Sequence, residues 1–252
     1  MMPLREVLVP DWPLPAGVQA LCTTRAGGVS GGAYESLNLG DHVGDEPAHV
    51  AANRKRLQET IGVRPVFLQQ VHGTHVLEME THTPDGSEGD ACTTANPRIA
   101  CTIMVADCLP VLFADCGGRR VAAAHAGWRG LAAGVLEATA AAFDEEGGPG
   151  KLLAWLGPCI GPDAFEVGDE VRAAFTARAP QAAGCFQAGA VPGKWLADLA
   201  GLARQRLQAA GVTQLYGNDG SARWCTVNNP LLFFSHRRDR TSGRFAACIW
   251  RR

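Results

Sequence analysis

The stretch IACTIMVADCLPVLFAD, residues 99–115, contains two strongly apolar runs that are joined by a short turn between Asp107 and Pro110. A third apolar segment, RRVAAAHAG, follows at residues 119–127. Short apolar runs bounded by turn residues are typical of strands that are buried inside a protein. These three runs therefore predict the centre of a β-sheet.

Segments on both sides of this block mix strands and helices without a strict βαβα alternation. Pro47 suits the first turn of a helix, and Gly211 suits a helix C-cap. Residues 25–45 are rich in glycine and polar residues and predict a long ordered loop, a kind that often carries function. Strands, some running into turns, are predicted over 18–24, 66–73, 152–161 and 245–251, and helices over 46–61, 131–143, 163–178 and 195–211. The pattern predicts an α+β fold: a single domain over residues 1–252, with a mixed sheet core covered by helices.

Composition excludes several classes of protein. The chain has 252 residues, 46% of them hydrophobic, so it can bury a full core and is not mainly disordered. Its 23 basic and 25 acidic residues leave a net charge of −2, and we expect no nucleic-acid or membrane partner. We find no apolar run of membrane-spanning length and no secretory signal in MMPLREVLVPDWPLP, and expect a cytoplasmic protein.

The chain contains nine cysteines, and their spacing forms no paired CxxC repeats. An odd number of cysteines in a protein of the reducing cytoplasm argues against a disulfide framework. Cys22, Cys101 and Cys248 lie within apolar runs and are expected to pack in the core. The question is whether any of the nine does chemistry.

His72, Cys108 and His125 share one feature: each lies at or near the end of an apolar strand, beside a turn. Strand ends from one sheet can converge at one edge. Two imidazoles and a thiolate suit zinc and leave a fourth position open for water or substrate. No local ligand motif supports the site, so ordinary core packing and a metal-free pair of Cys108 nucleophile and His125 base remain alternatives.

Two glycine-rich stretches are candidate anion sites. RAGGVS, from Arg25, places a guanidinium beside flexible backbone amides, and HAGWRG, from His125, opens a helix. Neither stretch matches a P-loop or a dinucleotide fingerprint, and tight turns that require positive φ are the better-supported interpretation of each stretch taken alone. The basic cluster SHRRDR at 235–240 is interpreted as a solvated surface loop.

Several motifs in a fixed order carry a family resemblance. From about Leu21 to the C-terminus the chain resembles the YfiH/laccase-domain family, also labelled multicopper polyphenol oxidase and, for bacterial members, peptidoglycan editing factor. The motifs are CTTRAGGVSGGAYESLNLGDHVGD, QQVHG, ADCLPVLFAD, HAGWRG, GPCIG and SHRRD followed by SGR. The resemblance implies an α/β sandwich that is shared with deamidating toxin-type cysteine hydrolases. It also implies that His72, Cys108 and His125 are the family's zinc-binding catalytic triplet.

The resemblance further implies purine nucleoside phosphorylase activity on adenosine, inosine and methylthioadenosine, with adenosine deaminase activity. The expected partners are thus a small nucleoside and phosphate. The alternative that it implies is a Cys108-dependent amidase that removes misincorporated serine from a UDP-muramoyl peptidoglycan precursor. A third class is a non-catalytic module stabilised by zinc. Copper is the less suited metal, because a multicopper oxidase needs several histidine-rich sites and the chain has seven histidines.

Four further residues are predicted to bind substrate. Arg25 is expected to bind phosphate or another anion, and Asn38 to hydrogen-bond the purine or ribose. Asp90 and Asp107 are expected to orient a ligand or relay protons, although Asp107 equally suits a cap for the turn beside Cys108. Zinc would polarise a water or phosphate oxygen. Tight metal binding and a free Cys108 nucleophile exclude one another. A monomer is favoured.

Overall fold

The computed structural model describes residue 4, residues 6–143, residue 145 and residues 147–252. The first three residues and residue 5, within the N-terminal stretch for which no secretory signal is predicted, lie outside the described residues. In the described part of the chain, no helix is both long and apolar enough to cross a bilayer.

The described residues form strands and helices in mixed order, as expected. The strands are β1 (Val7–Leu8), β2 (Val18–Thr23), β3 (Arg64–Phe67), β4 (Val76–Glu78), β5 (Ala91–Thr94), β6 (Ile99–Val105), β7 (Leu109–Asp115), β8 (Val121–Ala126), β9 (Leu152–Leu156), β10 (Glu166–Gly168), β11 (Phe186–Ala188), β12 (Lys194–Ala197), β13 (Gln214–Gly217) and β14 (Phe245–Arg251). The α-helices are α1 (Pro47–Ile61), α2 (Trp128–Ala133), α3 (Val135–Ala141), α4 (Asp169–Thr176), α5 (Leu199–Ala209) and α6 (His236–Asp239).

A five-stranded sheet has the order β1-β2-β14-β6-β3. Strand β14 lies at its centre, antiparallel to both neighbours, whereas β3 runs parallel to β6. Successive side chains of a strand point to opposite faces, so β14 contributes to two separate cores. Phe245, Ala247 and Ile249 pack on one side, and Ala246, Cys248 and Trp250 pack on the other.

A six-stranded sheet has the order β13-β9-β7-β8-β5-β4 and faces the first sheet. Leu112 of β7 and Trp155 of β9 pack in the same cluster as Ile103 of β6. The apolar block that predicted the sheet centre is therefore shared between two sheets, because the turn after β6 carries the chain from one sheet to the other. This sheet is mixed as well, since β4–β5 and β13–β9 are parallel pairs and β7–β8 is antiparallel.

Helices cover the outer faces of both sheets. Leu57 and Ile61 of α1 pack on the first sheet together with Leu39 of the long loop. Leu136 of α3 and Leu202 of α5 pack on the second sheet. The resulting order of layers confirms the predicted mixed α/β sandwich.

The helices predicted over 163–178 and 195–211 begin later, at Asp169 and Leu199, because short strands precede them. Strands β10 and β12 pair antiparallel and, with β11, form a small third sheet. The side chain of Asp198 then caps α5 by accepting a hydrogen bond from the Gly201 amide at 2.8 Å. The helix predicted over 131–143 was also wrong in its bounds. It begins at Trp128 and is interrupted at Gly134, whose φ of 112° lies in the left-handed region.

Residues 25–45 form the predicted long loop, which contains one short 3-10 turn, Gly32–Tyr34. Buried Asn53 of α1 holds this loop in place. Its amide nitrogen lies 2.9 Å from Ser30 Oγ and 2.9 Å from the Asn38 carbonyl oxygen. The loop is therefore bound to the first sheet's outer layer by hydrogen bonds from within the core.

Candidate metal centre

Three side chains from distant parts of the chain meet at one edge of the two sheets. His72 follows β3, Cys108 lies in the turn between β6 and β7, and His125 is near the end of β8. One potential ligand atom of each lies within 4.8 Å of those of the other two. Cys108 Sγ is 3.8 Å from His72 Nε2, and the two imidazole rings meet edge to face with centroids 4.7 Å apart. We refer to these residues as the His–Cys–His group.

Two turns beside this group have an unusual backbone. His72 has a φ of 62° and Asp107 a φ of 87°, both in the left-handed region. Residues other than glycine rarely adopt this conformation, and such strain is concentrated at functional sites. The two turns direct His72 and Cys108 toward each other.

The buried carboxylate of Asp90 fixes two members of the group. It accepts hydrogen bonds from the backbone amides of His72 at 2.9 Å and Gly73 at 2.6 Å, which holds the first turn. It also accepts from His125 Nδ1 at 2.8 Å, which leaves His125 Nε2 to face the group. Burial raises the pKa of Asp90, but the hydrogen bonds from His125 and Gly73 outweigh burial, and its net pKa is lowered.

Glycines allow the close approach of these side chains. A Cβ atom on Gly127 would lie 2.7 Å from His72 Cδ2 and 3.1 Å from Cys108 Sγ. A Cβ on Gly130 would lie 2.7 Å from the Gly73 carbonyl oxygen. The glycines of the HAGWRG motif therefore make room for the group. The expected reason, positive φ, is wrong for Gly127, whose φ is −66°.

The charges of Cys108 and His125 stabilise each other. Burial raises the pKa of the Cys108 thiol, but the charge of His125 and hydrogen bonds from both histidines outweigh it and lower the pKa to about 6. Burial lowers the pKa of His125, but the Cys108 thiolate and Asp90 raise it to about 9. Without a metal, a thiolate and an imidazolium therefore face each other at neutral pH.

The donor set of the group could hold a metal ion. Two imidazole nitrogens and a thiolate are ligands that zinc prefers, and a carboxylate behind a ligating histidine is a common support for such sites. Three protein ligands leave a further coordination position open. Among the described residues this is the one His, Cys, Asp and Glu group with such spacing, which offers a place for one ion rather than for several coppers.

The group lines a cavity of about 430 Å³, a size that suits a small-molecule ligand. One part of its lining is apolar and consists of Met104, Trp128, Ile160, Phe165 and Leu199. A polar and basic part consists of His42, Gln70, His236, Arg237 and Arg244. The cavity thus combines a possible metal site with apolar and cationic surfaces.

Asp107 lines this cavity and also forms hydrogen bonds that connect neighbouring segments of the chain. Its two carboxylate oxygens accept hydrogen bonds from the Thr226 hydroxyl and the Arg237 amide, each at 2.6 Å. Its carbonyl oxygen accepts from the Ile160 amide at 2.9 Å. These contacts tie three segments to the turn beside Cys108.

Arg25 and Asn38 are not among the residues that line the cavity. The Arg25 guanidinium stacks over Phe234 at 4.7 Å, and its Nε donates to the Glu35 carbonyl oxygen at 2.8 Å. Buried Asn38 accepts from the Gly40 and Arg244 amides and donates to the Gly40 carbonyl and Asp45. Their polar atoms contact the chain's own residues and brace residues 25–45, and substrate binding by Arg25 and Asn38 stays a prediction.

The sequence interpretation missed much of the polar lining. The prediction of a solvated loop over 235–240 was wrong for His236 and Arg237, which reach the cavity. Gln70 lies two positions before His72 in the QQVHG motif, and its side chain bonds the Met104 amide and carbonyl at 2.9 and 2.8 Å. The sequence offered one signal for Gln70 and Arg244: they belong to the motifs QQVHG and SGR, respectively.

The cysteines are all free thiols. Cys22, Cys101 and Cys248 are fully buried in the cores, as predicted. Cys159 of the GPCIG turn is buried against Cys225, whose Sγ accepts a hydrogen bond from the Gly161 amide at 3.2 Å. Cys108 is the one cysteine of the nine that belongs to the His–Cys–His group.

Comparison with known proteins gives close relatives along nearly the whole chain. A family model described as multi-copper polyphenol oxidoreductase laccase matches residues 19–252. A purine nucleoside phosphorylase of Pseudomonas aeruginosa is 53% identical over 244 residues, covering 96% of this chain and 97% of its own length. The purine nucleoside phosphorylase YfiH of Escherichia coli is 50% identical over 250 residues, with 98% and 99% covered.

Solved structures share the same fold. A Neisseria meningitidis protein described as DUF152 superposes with a TM-score of 0.90 at 49% identity, covering 98% of this chain and 99% of its own. YlmD of Geobacillus stearothermophilus superposes with a TM-score of 0.90 at 32% identity, covering 100% and 98%. The likeness to toxin-type cysteine hydrolases stays a prediction. From its motifs, its sheets and these relatives, the chain belongs to the YfiH-type laccase-domain family.

Proposed function

We propose that the protein is a zinc-dependent purine nucleoside phosphorylase that acts on adenosine, inosine and methylthioadenosine and also deaminates adenosine. The observation that carries the proposal is the His–Cys–His group in the wall of a cavity of small-molecule size. Relatives of 50 to 53% identity that are named purine nucleoside phosphorylases support it. In this proposal His72, Cys108 and His125 are both the metal ligands and the catalytic residues.

Phosphorolysis and deamination break different bonds of the nucleoside. In phosphorolysis the bond between ribose C1′ and the purine nitrogen breaks, a phosphate oxygen bonds to C1′, and the purine leaves with the bonding electrons and gains a proton. In deamination a water oxygen adds to C6 and ammonia leaves. When bound, zinc would supply Lewis acidity toward the attacking phosphate or water oxygen.

The chain's own residues prepare the site for this chemistry. Asp90 holds the His72 turn and orients His125, so it acts as a positioning residue. Asp107 holds the turn that carries Cys108. The aromatic side chains of Trp128 and Phe165 offer apolar surface for the flat face of a purine and exclude water from the reacting atoms.

Metal analysis and a product assay test the proposal together. The purified protein is analysed for zinc and then incubated with adenosine, with and without phosphate. We expect adenine and ribose 1-phosphate only when phosphate is present, and inosine in both cases. A zinc-loaded protein that forms none of the three products contradicts the proposal.

A cysteine amidase is the second candidate, and the arrangement of Cys108, His125 and Asp90 favours it. His125 lies beside Cys108 and is oriented by Asp90 through Nδ1, as the base of a Cys–His–Asp hydrolase would be. The Cys108 sulfur would attack the amide carbon, the C–N bond would break, and His125 would give its proton to the departing serine amine. Water then hydrolyses the thioester.

The UDP-muramoyl precursor with serine in place of alanine is the substrate that tests this candidate. The amidase requires that Cys108→Ala abolishes serine release and that removal of zinc preserves or raises it. A release of serine that depends on zinc contradicts the free-thiol mechanism.

We also infer that the protein is a cytoplasmic monomer that forms a single domain. Nine free thiols suit a reducing compartment. Light scattering of the purified protein measures its mass in solution, and one sharp unfolding transition is expected of a single domain. A dimer mass or two separate transitions would contradict these inferences.

A further inference from the structure

Arg244 lines the cavity, where the Cys108 thiolate and Asp107 are the nearby negative charges that act on it. It forms no salt bridge with any residue that the structure describes. Its Nη1 donates to the carbonyl oxygens of Ser242 and Gly243 at 3.0 and 3.1 Å, and within the described part of the chain Nε and Nη2 form no hydrogen bond. A partly buried guanidinium whose N–H donors are unused favours the binding of an anion.

The long loop fixes the position of this arginine. The Arg244 amide donates to Asn38 Oδ1 at 2.8 Å. Its side-chain stem lies against Gly40, where a Cβ atom would be 2.8 Å from Arg244 Cγ. Residues 38–40 therefore hold Arg244 in position, which gives the buried Asn38 a function through its contact with this residue.

His42 of the same loop also lines the cavity. Burial and the nearby charge of Arg244 lower its pKa, so it is a neutral imidazole at neutral pH. A neutral imidazole can donate one N–H to an oxyanion beside a guanidinium. The loop thus brings a second donor to the same part of the cavity.

We propose that Arg244, with His42, forms the subsite for the inorganic phosphate that attacks the nucleoside. The proposal rests on the phosphorylase function proposed above. A guanidinium presents paired N–H donors that match a phosphate oxyanion. A nucleoside carries no charge and suits the apolar lining, which leaves phosphate as the anion that Arg244 requires. A metal ion held by the His–Cys–His group would offset the Cys108 thiolate, which increases the demand for an added anion.

Direct binding of inorganic phosphate to the zinc-loaded protein tests the subsite without relying on turnover. Isothermal titration compares the wild type with Arg244→Gln and Arg244→Lys. We expect Arg244→Gln to weaken phosphate binding by about tenfold to a hundredfold, the size that loss of a charge-assisted hydrogen-bonded contact gives. Arg244→Lys keeps the charge but not the paired donors, and should lie between the two. Arg98→Gln removes one exposed arginine that does not line the cavity, and serves as the matched control.

A glycine variant separates the position of Arg244 from its charge. Gly40→Ala keeps the arginine but forces its stem to move, because the new Cβ would overlap Cγ. We expect weaker phosphate binding than in the wild type, with the adenosine KM unchanged. Circular dichroism and a thermal unfolding curve establish that each variant is folded before its binding is compared.

The outcomes separate this proposal from the function on which it rests. If the wild type forms ribose 1-phosphate and Arg244→Gln keeps the wild-type affinity for phosphate, the subsite is overturned while the function stands. If Arg244→Gln raises the adenosine KM and leaves phosphate binding unchanged, the subsite is also overturned. Phosphate binding that depends on Arg244 supports the subsite, even if no ribose 1-phosphate is formed and phosphorolysis fails.

Discussion

Cys101 and Cys108 lie in the same apolar stretch, but their thiols have opposite acidities. Cys101 is in the middle of β6, fully buried, with Cys92 and Cys248 as neighbours. Burial raises its pKa well above the usual value, and these neighbouring thiols raise it further. Cys108, in the turn that follows, is flanked by two imidazoles that lower its pKa to about 6.

The difference shows how the surroundings of a thiol change between the interior and the end of a strand. Inside the sheets, the side chains around a thiol come from neighbouring strands and are apolar by the demands of packing. At the strand ends, turns admit polar side chains and backbone amides, which can stabilise a charge. Chemistry is therefore possible at Cys108, whereas Cys101 behaves as a small apolar residue.

Replacement of the thiolate at the strand end should have the largest effect. Cys108→Ser is expected to reduce bound zinc from about one ion per chain to a small fraction, because a serine hydroxyl is a poor zinc ligand at neutral pH. Elemental analysis of the purified variant measures the loss. Cys116→Ser changes an exposed thiol far from the group and should retain the metal. Full zinc content in Cys108→Ser would remove this residue from the site.

The acidity of the two kinds of thiol can be compared directly in metal-free protein. Below about pH 6 the Cys108 thiol is protonated and unreactive, and above that pH it is a thiolate, so its alkylation by iodoacetamide should rise through pH 6 and then level off. Burial and the charge of Asp198 raise the pKa of Cys185 to about 11, so that thiol stays protonated at neutral pH. Mass spectrometry of the alkylated peptides gives both profiles. An inflection for Cys108 at or above pH 8.5 would contradict the predicted charge pair.

The carboxylate behind the group should have the next largest effect. Asp90→Asn removes the charge that orients His125 and the acceptor that holds the His72 turn. Loss of such a supporting contact lowers metal affinity by about tenfold to a hundredfold. Competition with a zinc chelator measures the change, and Asp163→Asn, an exposed carboxylate, is the control. Equal affinities in the two variants would show that Asp90 serves the fold alone.

The layers and the convergence of the His–Cys–His group could be predicted from local signals. Apolar runs with turn residues at their ends identify β6, β7, β8 and β14, and a histidine or cysteine at such an end is visible without any structure. The small third sheet could not be predicted, because its strands are only three or four residues long and form it only by pairing with each other. Phe165, just before β10, and Trp195, within β12, fit a helix pattern equally well.

The supporting residues of the site were less predictable than its ligands. A polar residue in a motif can face a ligand or the chain's own backbone, and the sequence does not distinguish the two. Arg25 and Asn38 were expected to bind substrate, and in the structure they bond to loop carbonyls and amides, whereas Arg244 and His236 line the cavity. Asp90 was expected to orient a ligand or relay protons, whereas its simultaneous contacts to the His72 turn and to His125 depend on tertiary structure.

A crowding substitution at the strand end should give the smallest of these effects. Gly127→Ala places a methyl group against His72 and Cys108, and overpacking of this kind costs about 1–3 kcal/mol. The backbone at Gly127 is open to alanine, since its φ is −66°, so the cost comes from contact with the two ligands. Gly31→Ala, whose Cβ would meet no atom within 4 Å, is the matched control. Urea unfolding of both variants measures the difference, and a zinc titration should show weaker binding only in Gly127→Ala. If the two variants unfold alike and bind zinc alike, the close approach at Gly127 does not constrain the site, and the strand end tolerates as much variation as the loop surface.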